Sequence, residues 1–323
     1  MKPRVFLVDG SGLVYRAYFA LMRNPLVTSR GENVSAIHGF LTTLLKLLRE
    51  EDPQELVVAF DVRGATFRHE VFPQYKATRP PMPPELASQI PKTKELLDAM
   101  GVVRTEVPKM EADDLIGTLA RRTVAAGKEA VIVSADKDFM QLIGEGVRQW
   151  IPPKLQEPGQ WVDADGVVER WGVRPEQMID LLALMGDTSD NVPGVAGVGA
   201  KTAASLLQQY GSLDGIYQHL EEIPQKGTRG KLTQDRASAF LSRDLVRIRQ
   251  DVDDAVLPAT MPVPDLAHRP GFLEQLEKLE FRRVIESLGL RAAKTWETQY
   301  RLLESADALR DWLARWRQAG APL

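Results

Sequence analysis

Three short apolar runs, rich in β-branched residues, each end in aspartate: Val5-Phe6-Leu7-Val8-Asp9, Leu56-Val57-Val58-Ala59-Phe60-Asp61 and Val131-Ile132-Val133-Ser134-Ala135-Asp136. None alternates apolar with polar positions, so each reads as a strand buried on both faces, as in a parallel sheet covered by helices. Between them the spacing turns helical. One pattern starts near Ser35, carries Ile37, Phe40, Leu41, Leu44 and Leu48 on one stripe, and ends before Pro53. A second, over about 91–100, stops at Gly101, and a third follows Glu111 and ends at Gly127, glycine being the usual residue just past a helix end. Strand and helix in alternation predict an α/β fold with a mainly parallel central sheet flanked by helices.

From about residue 175 to 257 the pattern is mostly helical, interrupted by the turn Gly194-Val195-Ala196-Gly197-Val198-Gly199. A proline-rich connector, 258–264, leads to further helical pieces ending near Leu290. Residues 291–304 read as a linker. An amphipathic helix over 306–316 follows, with Leu309, Trp312, Leu313 and Trp316 on one face. The expected division is therefore 1–174, 175–290 and 291–323. No internal repeat is evident.

Composition narrows the chemistry. The chain has 323 residues, 44% hydrophobic and 26% charged, which suits a globular protein with a sizeable core. It has no cysteine, which excludes disulfides, thiolate metal sites and cysteine nucleophiles. The opening Met1-Lys2-Pro3-Arg4 runs straight into the first strand without a signal-peptide apolar stretch, and no run reaches membrane-spanning length. A cytoplasmic protein with no membrane partner is expected. A net charge of -3 is unlike the usual nucleic-acid binder, but the charges are segregated. Arg63, Arg68, Lys76 and Arg79 face Glu70 alone in one segment, and Lys226, Arg229, Lys231, Arg236, Arg243, Arg247 and Arg249 face Asp235 and Asp244 in another.

The acidic residues are the strongest signal. In parallel α/β sheets ligands bind beyond the carboxyl ends of the strands, which brings Asp9, Asp61 and Asp136 together. Asp138 adds a fourth, Glu111-Ala112-Asp113-Asp114 opens a helix, and Gly186-Asp187-Thr188-Ser189-Asp190-Asn191 contributes another pair. Each has a plainer reading when taken singly: a strand-end aspartate caps a helix, acids in a first turn serve the helix dipole, and Asp187 with Asp190 makes a turn. Taken jointly, nine carboxylates at such positions are hard to assign to caps. Like charges so crowded call for divalent cations. Oxygen donors, with His38, His69, His219 and His268 scattered, favour Mg²⁺ or Mn²⁺ over zinc. Two or more such ions suit phosphoryl displacement.

The glycine turn with Lys201 and Thr202 is not a Walker A loop, because Ala200 stands where that motif needs lysine. It reads as a hairpin whose second helix offers free amides to a phosphate, or as a plain tight connection between helices. The segment 67–81 reads as a solvated loop, or as a mobile one in which Lys76 and Arg79 meet phosphate and Tyr75 stacks on a base.

With these motifs assembled, the chain resembles the 5′-nuclease (flap endonuclease-like) family. It is most similar to the 5′→3′ exonuclease domains that stand at the N-terminus of bacterial DNA polymerase I. The likeness covers about residues 4–290 through Phe6-Leu7-Val8-Asp9-Gly10, Ala59-Phe60-Asp61, Tyr75-Lys76, Glu111-Ala112-Asp113-Asp114, Ala135-Asp136-Lys137-Asp138, Gly186-Asp187-Thr188-Ser189-Asp190-Asn191 and the turn before Lys201. It implies a magnesium-dependent nuclease acting on 5′ flaps, nicks and branched duplex DNA in primer removal and repair. One metal group would draw on Asp9, Asp61, Glu111, Asp113 and Asp136, a second on Asp114, Asp138, Asp187 and Asp190. Lys76 and Arg79 would sit at the scissile phosphate within a helical arch over about 63–90, where Arg68 and Tyr75 also meet DNA. Gly194, Gly197, Gly199, Lys201 and Thr202 would form a helix–three-turn–helix element on the duplex, with a monovalent cation such as K⁺ at its turn. A monomer is expected, joined in a longer protein to polymerase domains whose start would be the truncated piece after residue 290.

Overall fold

The computed structural model describes residues 2–153, 157–266, 269–290 and 305–318. The aspartate-ended runs form the centre of a single sheet of six strands: β1 (Arg4–Asp9), β2 (Glu55–Ala59), β3 (Val103–Thr105), β4 (Glu129–Val133), β5 (Val147–Ile151) and β6 (Gln160–Val162). Their order is β3-β2-β1-β4-β5-β6, parallel except for the β5–β6 pair at one edge. Register sets the site. Asp9 pairs with Ala59, and Val8 with Val133, so the residues that follow β2 and β4, Asp61 and Asp136, emerge beside the end of β1.

Strand side chains alternate between two cores, as a period of two requires. Phe6 and Val8 pack with α1 (Gly10–Leu21), α2 (Ser35–Glu51) and α4 (Pro84–Met100); Val5 and Leu7 pack under α5 (Ala112–Ala125) on the opposite face. Each fully buried Phe or Leu here contributes about 1.5–3 kcal/mol. Between α2 and α4, after β2, lies the short α3 (Phe67–Val71). Helix α4 starts seven residues earlier than the apolar pattern indicates and runs through Pro91. Proline there removes one internal hydrogen bond without ending the helix, because Leu86, Leu96 and Leu97 hold its buried face on either side.

The remaining helices are α6 (Ala164–Trp171), α7 (Met178–Met185), α8 (Ala200–Tyr210), α9 (Leu213–Gln218), α10 (Lys226–Gln234), α11 (Arg236–Val246), α12 (Pro270–Lys278), α13 (Arg282–Ser287) and α14 (Ala306–Gln318). Those from α6 to α11 share a core of their own around Leu181, Leu184, Leu207 and Ile216. A small cluster of Tyr75, Leu182, Val192, Leu245 and Val246 joins this helical part to the sheet's carboxyl edge. The expected linker, 291–304, lies outside the described residues. Among those residues no helix is long and apolar enough to cross a membrane.

Candidate metal centre and nucleic-acid interface

A cavity of about 220 Å³ opens at the carboxyl edge of β1, β2 and β4, and eight of the nine sequence-predicted carboxylates line it. Asp9 is fixed twice. One oxygen accepts from Gly12 N at 2.7 Å, capping α1, and the other from Ser134 Oγ at 2.8 Å. A Cβ on Gly12 would stand 2.1 Å from the Asp9 carboxylate, so a side chain there would displace it. Asp61 accepts from Ala112 N at 2.9 Å and Asp136 from Asp138 N at 2.9 Å. Asp9 thus caps α1, as its plainer reading has it, and still converges with Asp61 and Asp136 on the cavity.

Charge in the cavity is uneven. Asp9, only 7% exposed, is pushed up to about 7 by burial and by the charges of Asp61 and Asp136. Burial, then Asp136, pushes Asp138 up to about 7, and burial with Asp136 and Asp9 pushes Asp113 well above the ordinary range. The helical side carries its own cations. Lys137 Nζ donates to Asp187 and lies 3.4 Å from Asp138. Lys76 Nζ is 3.0 Å from Glu111 and 3.9 Å from Asp190, and Arg79 pairs with Asp190. Burial would raise Glu111, but Lys76 and Arg68 outweigh it and hold the carboxyl below its usual value. Burial opposes the ionised Asp187 as well, yet the Lys137 ammonium and Ser189 bring it down to about 2.

Among the described residues no three carboxylate or imidazole groups are already drawn together as a closed ligand set. The donors nevertheless fit hard divalent ions. They are all carboxylate oxygens, Asp9 is buried with no cation within ion-pair distance among the described residues, and Mg²⁺ takes only one or two carboxylates per ion with water completing its shell.

Three sequence expectations are corrected. Asp114 does not face the cavity: it is fully buried, both oxygens take Arg68 at 2.8 and 2.9 Å, and the backbone amides of Glu111 and Arg249 complete its partners. Arg68 is unavailable to DNA, because its remaining donors go to the carbonyls of Leu245 and Arg247. Tyr75 cannot stack on a base, being 5% exposed with its hydroxyl between Glu111 and Asp190. The segment 63–90, expected as an arch, comprises α3, a run of turns and the start of α4. Those turns are pinned to the Asp187–Asn191 loop. Lys76, at φ +59°, donates its amide to Asp190 O at 2.8 Å, and Asn191 Nδ2 donates to Gln74 O at 2.7 Å. Lys137 and Tyr15, both at the acidic site, were not singled out from sequence.

The glycine turn sits between α7 and α8. Gly194 has φ +63°, and a Cβ on it would meet the Gly186 backbone at 2.5 Å, so only glycine fits. Gly197, at φ +71°, presents its carbonyl to Lys231 Nζ at 3.0 Å. Gly199 caps α8, leaving Lys201 and Thr202 exposed on its first turn.

Comparison with known proteins agrees with this geometry. Residues 4–172 match the 5′-3′ exonuclease N-terminal resolvase-like domain, and residues 173–267 the 5′-3′ exonuclease C-terminal SAM fold. A thermostable DNA polymerase I of Thermus thermophilus is 41% identical over 90% of this chain and 34% of its own length. A DNA polymerase I of Treponema pallidum is 44% identical over 78% of this chain and 25% of its own. The chain thus spans about a third of the length of such relatives or less. Among solved structures, the fold is similar to T5 5′-exonuclease with bound divalent zinc ions (TM-score 0.61, 21% identity, 75% of this chain and 89% of that one). It is also similar to the catalytic core of Rad2 in complex with DNA substrate (TM-score 0.54, 21% identity, 86% and 92%). The two matched domains follow one another over residues 4–267, the first covering the sheet and its acidic edge and the second the helical part with the glycine turn, and the chain belongs to the 5′-3′ exonuclease family.

Proposed function

We propose that this chain is a divalent-metal-dependent 5′-nuclease that hydrolyses DNA phosphodiesters near a 5′ single-strand/duplex junction, acting on flaps, nicks and branched duplexes as the nuclease part of a DNA polymerase I. The observation that carries it is the convergence of eight carboxylates, contributed by the sheet, α5 and the 187–190 loop, on one cavity rimmed by Lys76 and Arg79. Asp9, Asp61, Glu111, Asp113 and Asp136 would hold the ion nearer the attacked phosphate, and Asp138, Asp187 and Asp190 a second. Mg²⁺, with Mn²⁺ as substitute, would supply charge neutralisation and Lewis acidity there.

The chain's own groups do the rest. Lys76 and Arg79 stay protonated, each held above its ordinary value by neighbouring carboxylates that outweigh the cost of burial. They offer a phosphate two cations at fixed positions. Both now rest on Glu111 and Asp190, so a bound phosphate must compete with those carboxylates. On the duplex side the first turn of α8, with Lys201 and Thr202, would grip a backbone phosphate without reading sequence. A monovalent ion at the turn fits poorly at the Gly197 carbonyl, since Lys231 already brings an ammonium there. For this chain the tethered cation takes that role.

Cleavage of a 5′-labelled flap with Mg²⁺, with EDTA, and by Asp136→Ala tests the proposal. Short 5′ products that require Mg²⁺ and vanish in the variant are expected. Firm flap binding without cleavage under any condition would overturn it in favour of a silent junction binder.

A further inference from the structure

A second cavity, of about 560 Å³, lies against the acidic one and shares Ser11, Tyr15, Asp61, Lys76, Arg79 and Glu111 with it. Its other walls differ in character. Met82, Ile90 and Pro91, from the approach to α4 and its first half, give an apolar side; Arg63, Lys94 and Glu106 give a charged rim. That volume and that mixture of an apolar wall with a few charges are typical of pockets for a small organic ligand of nucleotide size.

The cations around it are not equivalent. Lys76 rests on Glu111, Arg79 on Asp190, and Lys94 on Glu106, whose carboxylate Arg104 also holds at 3.1 Å. Arg63 has no carboxylate within ion-pair distance among the described residues and is exposed. It stands two residues beyond Asp61, so at most about 7 Å of chain separates it from a carboxylate of the acidic cavity. Gly64, at φ +121°, turns the chain immediately after it. An uncommitted guanidinium on this rim suits a phosphate monoester, which offers it two oxygens at once. Glu106 would repel such a group were its charge not met twice.

We propose that this cavity is a subsite for the 5′-terminal nucleotide of the strand being cut, its base against Met82, Ile90 and Pro91 and its terminal phosphate on Arg63. The inference rests on the nuclease reading and deepens it: the chain reads the chemical state of the 5′ end, favouring a phosphate over a hydroxyl.

Two nicked duplexes identical except for a 5′-phosphate or a 5′-hydroxyl at the nick test this. The unaltered protein should favour the phosphorylated nick by roughly tenfold in kcat/KM, the worth of one charge-assisted hydrogen bond. In Arg63→Gln that ratio should fall towards one, whatever the change in absolute rate. The same preference should appear in the Kd for the two nicks measured in EDTA, and be lost in the variant. Equal handling of both ends by the unaltered protein, or a preference that survives Arg63→Gln, would overturn the subsite. Because the binding arm needs no turnover, a protein that cuts nothing yet binds the phosphorylated nick more tightly through Arg63 would overturn only the nuclease reading.

Discussion

The Arg68 guanidinium closes a two-pronged fork on the Asp114 carboxylate, at 2.8 and 2.9 Å, where neither side chain is more than 3% exposed. The fork ties α3 to α5, and the remaining Arg68 donors tie both to the chain leaving α11, through the carbonyls of Leu245 and Arg247. It lies directly behind Glu111, whose carboxylate is 3.4 Å from the same guanidinium.

Breaking this pair from one side should be costly, because the survivor is left buried and uncompensated. Arg68→Met or Asp114→Leu alone is expected to destabilise the protein by roughly 3–5 kcal/mol, and the two together by less than the sum. Urea unfolding of the four proteins gives the coupling. A single variant within about 1 kcal/mol of the unaltered protein would mean that the fork does not hold the two parts together.

Lys137 offers a different test, since it neutralises Asp187 and Asp138 without divalent ions. An incoming ion must displace its ammonium or share those carboxylates with it. Lys137→Met should therefore strengthen Mn²⁺ binding by roughly tenfold in calorimetric titration, a change of about one pKa unit's worth of interaction. The same variant should unfold at lower temperature in EDTA, because the two carboxylates then face one another unrelieved. Weaker Mn²⁺ binding would instead make Lys137 a support for the ligands.

How far all this could be read from the chain depends on what each residue type advertises. Asp9, Asp61 and Asp136 are legible because an apolar run fixes a strand and a parallel sheet fixes where its end points. Arg68 and Tyr75 mislead for a physical reason: a cation and an aromatic beside prolines look the same whether they wait for a phosphate or fold inward onto Asp114 and Glu111. Only long-range packing decides, and Arg68 meets its hydrogen-bond partners 46 to 179 residues away. Strand β5 is illegible because Arg148 and Gln149 interrupt its apolar pattern, although Gln149 is buried and donates to the carbonyls of Ser134 and Asp136. Strands β3 and β6, of three residues each, are too short to show a period. Lys137 was hidden by its position between two aspartates, where a lysine reads as ordinary charge balance.

Proton uptake by the acidic cavity gives the pH behaviour. Asp9 and Asp138 hold protons up to about pH 7 in the folded protein, because of burial and then neighbouring carboxylates; in the unfolded chain they release them near 3.8. Between those values the folded state binds more protons, so stability without metal is greatest at the acid end of this window and falls as pH rises through 7. Asp187 acts oppositely, but its contribution is lost only as pH drops from 3.8 through about 2. Since a divalent ion takes the ionised carboxylates, the rise in Tm caused by Mg²⁺ should be small near pH 5 and large near pH 8. A thermal-shift series with and without EDTA reads both trends, and an Mg²⁺ effect independent of pH would show that these two carboxyls are not ligands.

At the glycine hairpin, Lys231 reaches from α10 to the Gly197 carbonyl at 3.0 Å, while Asp235 Oδ2 accepts from Ala196 N at 2.8 Å and Ser242 Oγ from Gly194 N at 2.9 Å. The turn is therefore held at three points by side chains of α10, α11 and their junction, and one of the three carries positive charge. Duplex binding by the unaltered protein should not distinguish K⁺ from Na⁺ or choline at constant ionic strength. In Lys231→Met the Gly197 carbonyl is left without its donor, and an added ion has a vacancy to fill. Binding measured by anisotropy in EDTA should weaken in choline by roughly fivefold to tenfold, the loss of one charged hydrogen bond, and recover in K⁺. Arg63 and the acidic cavity are untouched by this change, so the effect should be the same for blunt duplexes and for nicks. A duplex affinity that already depends on K⁺ in the unaltered protein would mean that the ammonium does not do the ion's work.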